Sequence, residues 1–128
     1  MSHASASRRE LPSMSKIIES IKYFPAGYCT SNLALLFKRQ KRKKMVFPAG
    51  VYLFKHREHG YILYDTGYHY EIKSKLRYLY YRLGTPMQMK KEDQIDCLLQ
   101  ATGISPDDIS YVILSHFHPD HLGGATCF

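Results

Sequence analysis

Ser115-His116-Phe117-His118-Pro119-Asp120-His121 brings three imidazoles and one carboxylate together within six residues, the chemistry of a divalent-metal site. Just before it, Tyr111-Val112-Ile113-Leu114 is short, apolar and partly β-branched, and reads as a buried strand. Just after it come Leu122-Gly123-Gly124. The candidate ligands therefore sit on a loop that leaves the end of a strand.

In an extended segment, residues two apart point the same way and stand about 7 Å apart, so His116 and His118 can close on one ion. Pro119 has a fixed φ and no N–H, and it turns the chain after that pair. The turn presents Asp120 and His121 from another direction. Two adjacent ligands do not readily converge on the ion held by the first pair, which leaves room for a second metal beside it. Imidazole with carboxylate suits zinc, iron or manganese. With 7 His in 128 residues, the pattern H-x-H-x-D-H arises by chance about once in a thousand such chains, so it is strong for a short motif.

His116-Phe117-His118-Pro119-Asp120-His121 resembles the H-x-H-x-D-H signature of the metallo-β-lactamase superfamily, and Asp65-Thr66-Gly67 resembles its D-T-G turn. Within that superfamily the likeness is closer to the N-acyl-homoserine lactonases. Tyr23-Phe24-Pro25-Ala26-Gly27-Tyr28-Cys29 is similar to their opening strand. Met89-Lys90-Lys91-Glu92-Asp93-Gln94 and Gly103-Ile104-Ser105-Pro106-Asp107-Asp108 are similar to their lead-in to the motif. The resemblance runs from about Lys22 to Gly124.

The resemblance implies an α/β fold: the N-terminal αβ half of an αββα sandwich, with a mixed sheet and helices on one face. It implies two zinc-type ions, His116 and His118 holding the first, Asp120 and His121 the second. Iron or manganese are alternatives. Asp65 would support the metal loop without being a ligand. Asp120 would also act as general acid while a metal-bound hydroxide opens a lactone, the chemistry of quorum quenching. Alternatives are thioester, phosphodiester or β-lactam hydrolysis, an iron-using redox relative, and a non-catalytic module that holds a structural ion and binds an anion. In the family a second αβ half supplies a further histidine, a bridging aspartate and a last histidine, and none of these follows His121 here. The expectation is a partial domain over residues 16–128, weak metal binding, little catalysis, and a sheet with one bare apolar face.

Formal net charge is +7, and Lys38-Arg39-Gln40-Lys41-Arg42-Lys43-Lys44 carries six positive charges. An anionic partner would suit this run, but a solvated loop or guarded strand edge is the plainer reading. No aromatic interleaves the run, which argues against a nucleic-acid platform. A small ester or lactone is the expected partner, and a homodimer is left open. No apolar stretch reaches the length of a membrane span. Cys29, Cys97 and Cys127 are odd in number and far apart, which points to reduced thiols and a cytoplasmic setting. Residues 1–15 lack an apolar segment of the secretory type and read as a flexible tail.

Along the chain, Lys16 to Phe24 predicts a strand broken by Pro25-Ala26-Gly27. Asn32 to Phe37 fits either a strand or a helical turn. Pro48-Ala49-Gly50 predicts a turn. Val51–His56 and Tyr61–Tyr64 predict a hairpin across Arg57-Glu58-His59-Gly60. Ile72, Leu76, Leu79 and Leu83 predict a Tyr-rich amphipathic helix over Tyr70–Leu83, with a lid or acyl-chain wall as the sharper alternative. Lys91–Thr102 predicts a second helix with Ile95, Leu98, Leu99 and Thr102 on one face, Cys97 in the core, and Gly103 at its end. Ser105-Pro106-Asp107-Asp108 predicts a capped turn. His3, His56, His59 and His69 are isolated and are not expected to be ligands.

Overall fold

The structure is a computed structural model and describes residues 17–73, 76 and 79–128. The expected tail lies outside the described residues. Two long strands dominate. β1 (Ile18–Asn32) and β2 (Lys44–His56) pair antiparallel, and β3 (Gly60–Tyr64) returns antiparallel on β2. The hairpin of β2 and β3 forms as predicted, with His56 opposite Gly60. β4 (Met87–Gln88) adds to β1, and β5 (Ile109–Ile113) runs parallel to β3, giving the order β4-β1-β2-β3-β5. This is the mixed sheet of the expected α/β half.

Two predicted breaks do not occur. Pro25-Ala26-Gly27 and Pro48-Ala49-Gly50 lie inside β1 and β2, and they face each other. Pro25 pairs with Gly50 and Tyr28 with Pro48, so β1 carries one more residue than β2 across the gap. That is a β-bulge, where a proline without an N–H is tolerated and a strand bends without ending. Gly27 takes up the extra residue at φ +86°, a conformation open to glycine at little cost.

Side chains alternate across the sheet with a period of two. Phe24, Val51, Leu53 and Leu63 point to one face and pack with Ile95 and Leu99 of α3 (Ile95–Ala101). Each such fully buried side chain contributes about 1.5–3 kcal/mol. The opposite face carries two rows along the register, Tyr23–Tyr52–Tyr64–Ile113 and Ile21–Phe54–Ile62–Tyr111. Most of these side chains are exposed, so one sheet face is bare, as expected. The expectation that Tyr111–Leu114 is buried fails for the same reason. β5 is an edge strand, and Tyr111 and Ile113 point to the uncovered side.

The helices are shorter than their apolar spacing suggests. Asn32 to Phe37 resolves to one turn, α1 (Leu33–Leu36), with Asn32 Oδ1 accepting from Ala34 N at 3.1 Å. Within Tyr70–Leu83 the described residues form a 3₁₀ turn at Tyr70–Lys73 and α2 (Leu79–Gly84); residues 74, 75 and 77 lie outside them. Tyr78 lies outside the described residues. Ile72 is buried, while Leu76, Leu79 and Leu83 are exposed, so their spacing makes no buried stripe. Lys91–Thr102 also divides, into a 3₁₀ turn at Lys91–Asp93 and α3. The break falls at Gln94, whose buried amide accepts from Tyr70 N at 3.0 Å and donates to Asp96 Oδ1 at 3.0 Å. Those bonds hold Gln94 extended between the two turns. Thr102 is an exposed cap, not part of the apolar face, and its hydroxyl donates to Leu99 O. Cys97 is half-buried instead of core. The turn at Pro106–Asp108 forms with its predicted cap: Asp107 N donates to Ser105 Oγ and Ser105 N to Asp108 Oδ2.

Candidate metal centre

β3 ends at Tyr64, one residue before Asp65, and its parallel neighbour β5 ends at Ile113, so both chains leave the sheet on the same side. Asp65 N donates to Ile113 O at 2.8 Å and joins the two exits. Asp65 itself adopts φ +61°, a left-handed conformation that aspartate tolerates better than most side chains. This turns its carboxylate toward the metal loop. Ser115 N donates to Oδ1 at 2.8 Å, Ser115 Oγ to Oδ2 at 2.9 Å, and His121 Nδ1 to Oδ2 at 2.7 Å. Burial pushes the Asp65 carboxyl up, but the Ser115 and His121 bonds together outweigh it and hold it below the usual carboxylate range.

The motif then bends. His118 is the extended residue ahead of a single turn, α4 (Pro119–Leu122), with Pro119 at its first position. His121 lies in that turn, and Thr66 N and Thr66 Oγ1 both donate to His121 O, at 2.8 and 2.7 Å. Gly67 and Gly124 lock the turn from below through Gly124 N to Gly67 O at 3.1 Å. Gly67 has φ +66°, and a Cβ there would collide with the Ala26 side chain and reach its carbonyl oxygen at 3.0 Å. Only glycine fits both demands.

These constraints gather the donors. One ligand atom each from His116, His118 and Asp120 lies within 4.8 Å of the others. The His116 ring stands 4.6 Å from that of His118 and 4.0 Å from that of His121, centroid to centroid. Asp120 Oδ2 is 3.1 Å from His121 Nε2, so Asp120 reaches both the His116–His118 pair and His121. Hydrogen bonding assigns the tautomers. A carboxylate only accepts, so His121 carries its proton on Nδ1. Ser115 Oγ spends its hydrogen on Asp65, so His116 Nδ1, 2.9 Å away, donates to it. The His116 ring therefore turns its Nε2 lone pair outward, while His121 Nε2 faces the Asp120 carboxylate. Two imidazole nitrogens and a carboxylate at this separation fit a divalent cation of the zinc, iron or manganese kind.

The remaining histidines stand elsewhere among the described residues. His56 Nδ1 accepts from Glu58 N and His59 N, and His69 Nδ1 accepts from Glu71 N. His3 is outside the described residues. Two contributors escaped the sequence reading: Ser115, which gives two bonds to Asp65, and Thr66, which fixes the His121 carbonyl. Their signal was available, since each is the immediate neighbour of a residue already singled out.

Beside the donors opens a cleft of about 880 Å³. His118, Pro119 and Asp120 form one wall; Leu35, Leu36, Phe47 and Leu83 make much of the rest. A polar, metal-suited corner thus adjoins an apolar trough.

Residues 45–126 match the Metallo-beta-lactamase superfamily. The N-acyl homoserine lactonase AiiA of Bacillus thuringiensis subsp. kurstaki is 31% identical over 118 residues, which is 87% of this chain and 46% of that protein. The lactonase AiiB of Agrobacterium fabrum is 41% identical over 69 residues, 52% of this chain and 25% of the relative. The chain thus spans about half the length, or less, of the curated relatives it matches. Among solved structures, an N-acyl homoserine lactone hydrolase with the product N-hexanoyl-L-homoserine at its catalytic metal centre superposes with TM-score 0.74 and 28% identity, covering 88% of this chain and 46% of that one. A quorum-quenching N-acyl homoserine lactone hydrolase superposes with TM-score 0.73 and 30% identity, over 90% of this chain and 45% of its own. With the D-T-G turn, the bent histidine motif and the mixed sheet in place, the chain belongs to the metallo-beta-lactamase superfamily.

Proposed function

We propose that this protein is a metal-dependent hydrolase that opens lactones of the acyl-homoserine type. His116, His118, Asp120 and His121 are its ligands, and zinc is the preferred ion, with iron or manganese as alternatives. One observation carries the reading: the His116, His118 and Asp120 donors converge at the rim of an apolar cleft, in a chain similar to lactonases over most of its length. A divalent ion held there supplies Lewis acidity toward an ester carbonyl and lowers the pKa of water.

The chain's own residues do the rest. His116 and His121, pinned through Nδ1 by Ser115 and Asp65, keep their Nε2 atoms aimed without further reorganisation. Asp120 would take the proton given up by the water that adds to the carbonyl and pass it to the ring oxygen that leaves when the lactone opens, a general-acid role. Phe47 lines the trough that takes the acyl chain while the ring sits at the His118–Asp120 corner. Residues 16–128 act as one partial domain. By themselves they bind the ion weakly and open lactone slowly or not at all, since catalytic zinc sites usually keep three protein ligands per ion. Unpaired Cys29, Cys97 and Cys127 support a reducing, cytoplasmic setting.

Zinc titration and ring opening of N-hexanoyl-homoserine lactone, followed by base uptake, test the reading. Replacing His116 and His118 together by alanine is expected to abolish zinc binding. Asp120→Asn, which removes the only charged ligand, is expected to lower zinc affinity in the same titration. Zinc affinity unchanged in the double variant would remove the ligand assignment.

A further inference from the structure

The sequence offers no partner for its basic run, but the fold gives that run neighbours. α1 buries none of its residues. Leu35 is 76% exposed and Phe37 54%, with Leu36 exposed between them. The chain then turns sharply, Gln40 N donating to Phe37 O at 3.4 Å with Arg39 at φ +67°. Leu33 N donates to Lys43 O at 2.8 Å and closes the loop. Three large apolar side chains are thereby displayed next to Lys38, Arg39, Lys41, Arg42, Lys43 and Lys44. All six cations are exposed, and none forms an ion pair among the described residues. Leu83, 77% exposed, joins Leu35 and Leu36 around the cleft and extends the apolar surface.

A partner that relieves both costs must offer negative charge and an apolar phase together. An anionic bilayer surface does so: head groups take the cations while apolar side chains enter the acyl boundary. Nucleic acid offers the charge, but its bases stack on aromatics spaced among the basic residues, and none stands between Lys38 and Lys44. We propose that the loop Leu33–Lys44 docks this protein on an anionic lipid surface. Leu35, Leu36 and Phe37 enter the interface, the six cations lie at the head groups, and the mouth of the cleft faces the bilayer.

Sedimentation of the full chain with vesicles tests this without metal or turnover, so its outcome is independent of the hydrolase reading. Partition onto phosphatidylserine-containing vesicles is expected to exceed that onto pure phosphatidylcholine by at least about tenfold. Lys41→Glu with Arg42→Glu is expected to lower it about tenfold or more. Leu35→Ser with Phe37→Ser is expected to lower it by about tenfold with every charge kept. The chain has no tryptophan, so Phe37→Trp supplies a local reporter whose emission shifts to the blue on anionic vesicles. Emission that stays unshifted there would overturn the proposal, even if the double variants failed to fold. Partition indifferent to Leu35 and Phe37, or tighter binding to an oligonucleotide at the same salt, would overturn it too.

Discussion

Asp65 is worth more than its place in a turn suggests. Its two oxygens receive Ser115 N, Ser115 Oγ and His121 Nδ1, and each bond fixes part of the metal loop. In Asp65→Ala all three donors lose their acceptor, at a cost of about 1–3 kcal/mol for each that stays buried and unpaired. Thermal unfolding should show the loss. Zinc titration should show affinity lower by roughly 10–100-fold, as for other residues that orient a metal-bound histidine. Cys127 gives a second prediction. Burial, with Asp96 and Cys97 nearby, pushes its thiol up to about 11. A raised thiol pKa leaves less thiolate, about one-hundredth of that of an ordinary cysteine at the same pH. Iodoacetamide at mildly alkaline pH should therefore modify Cys127 far more slowly than a free cysteine, read by mass spectrometry.

Among the elements, the turn from β3 and the single turn α4 act as one clamp. Gly67→Ala would drive a methyl into Ala26 at a left-handed backbone position, and chemical unfolding should report a loss of at least about 2 kcal/mol. The short elements were legible where their cause was local. The cap at Ser105, the proline at the start of α4 and the β2–β3 hairpin all rest on neighbours within a few residues. Elements set by distant partners were not. Gln94 interrupts a well-patterned helix because its amide bonds Tyr70 N, which lies 24 residues away. The Pro25 and Pro48 segments read as breaks one at a time, yet pair as a bulge once β1 and β2 come together.

The sheet of the whole molecule buries one face and shows the other. Tyr23, Tyr52, Tyr64 and Ile113 form a continuous row on the open side, with Tyr23 and Tyr52 rings 5.2 Å apart. An apolar row of this kind invites pairing. Residues 1–128 should bind an apolar fluorescent dye and self-associate as concentration rises. Tyr52→Thr with Tyr111→Thr should reduce both effects, measured by dye fluorescence and light scattering. Undiminished association in that variant would place the contact elsewhere. The same openness explains why β5 was read as buried: its apolar residues look like a core strand, and only the sheet order puts it at an edge.

The kind of chemistry was decided by the sequence alone, because the donor atoms lie within six consecutive residues and their identity is covalent. Tertiary structure alone decided how those donors are aimed. The brace from Asp65 spans 50 residues to Ser115 and 56 to His121, and the cleft is assembled from α1, β1, β2, α2 and the metal loop. Contacts between residues so far apart exist only once the sheet has paid the entropy of bringing its strands together.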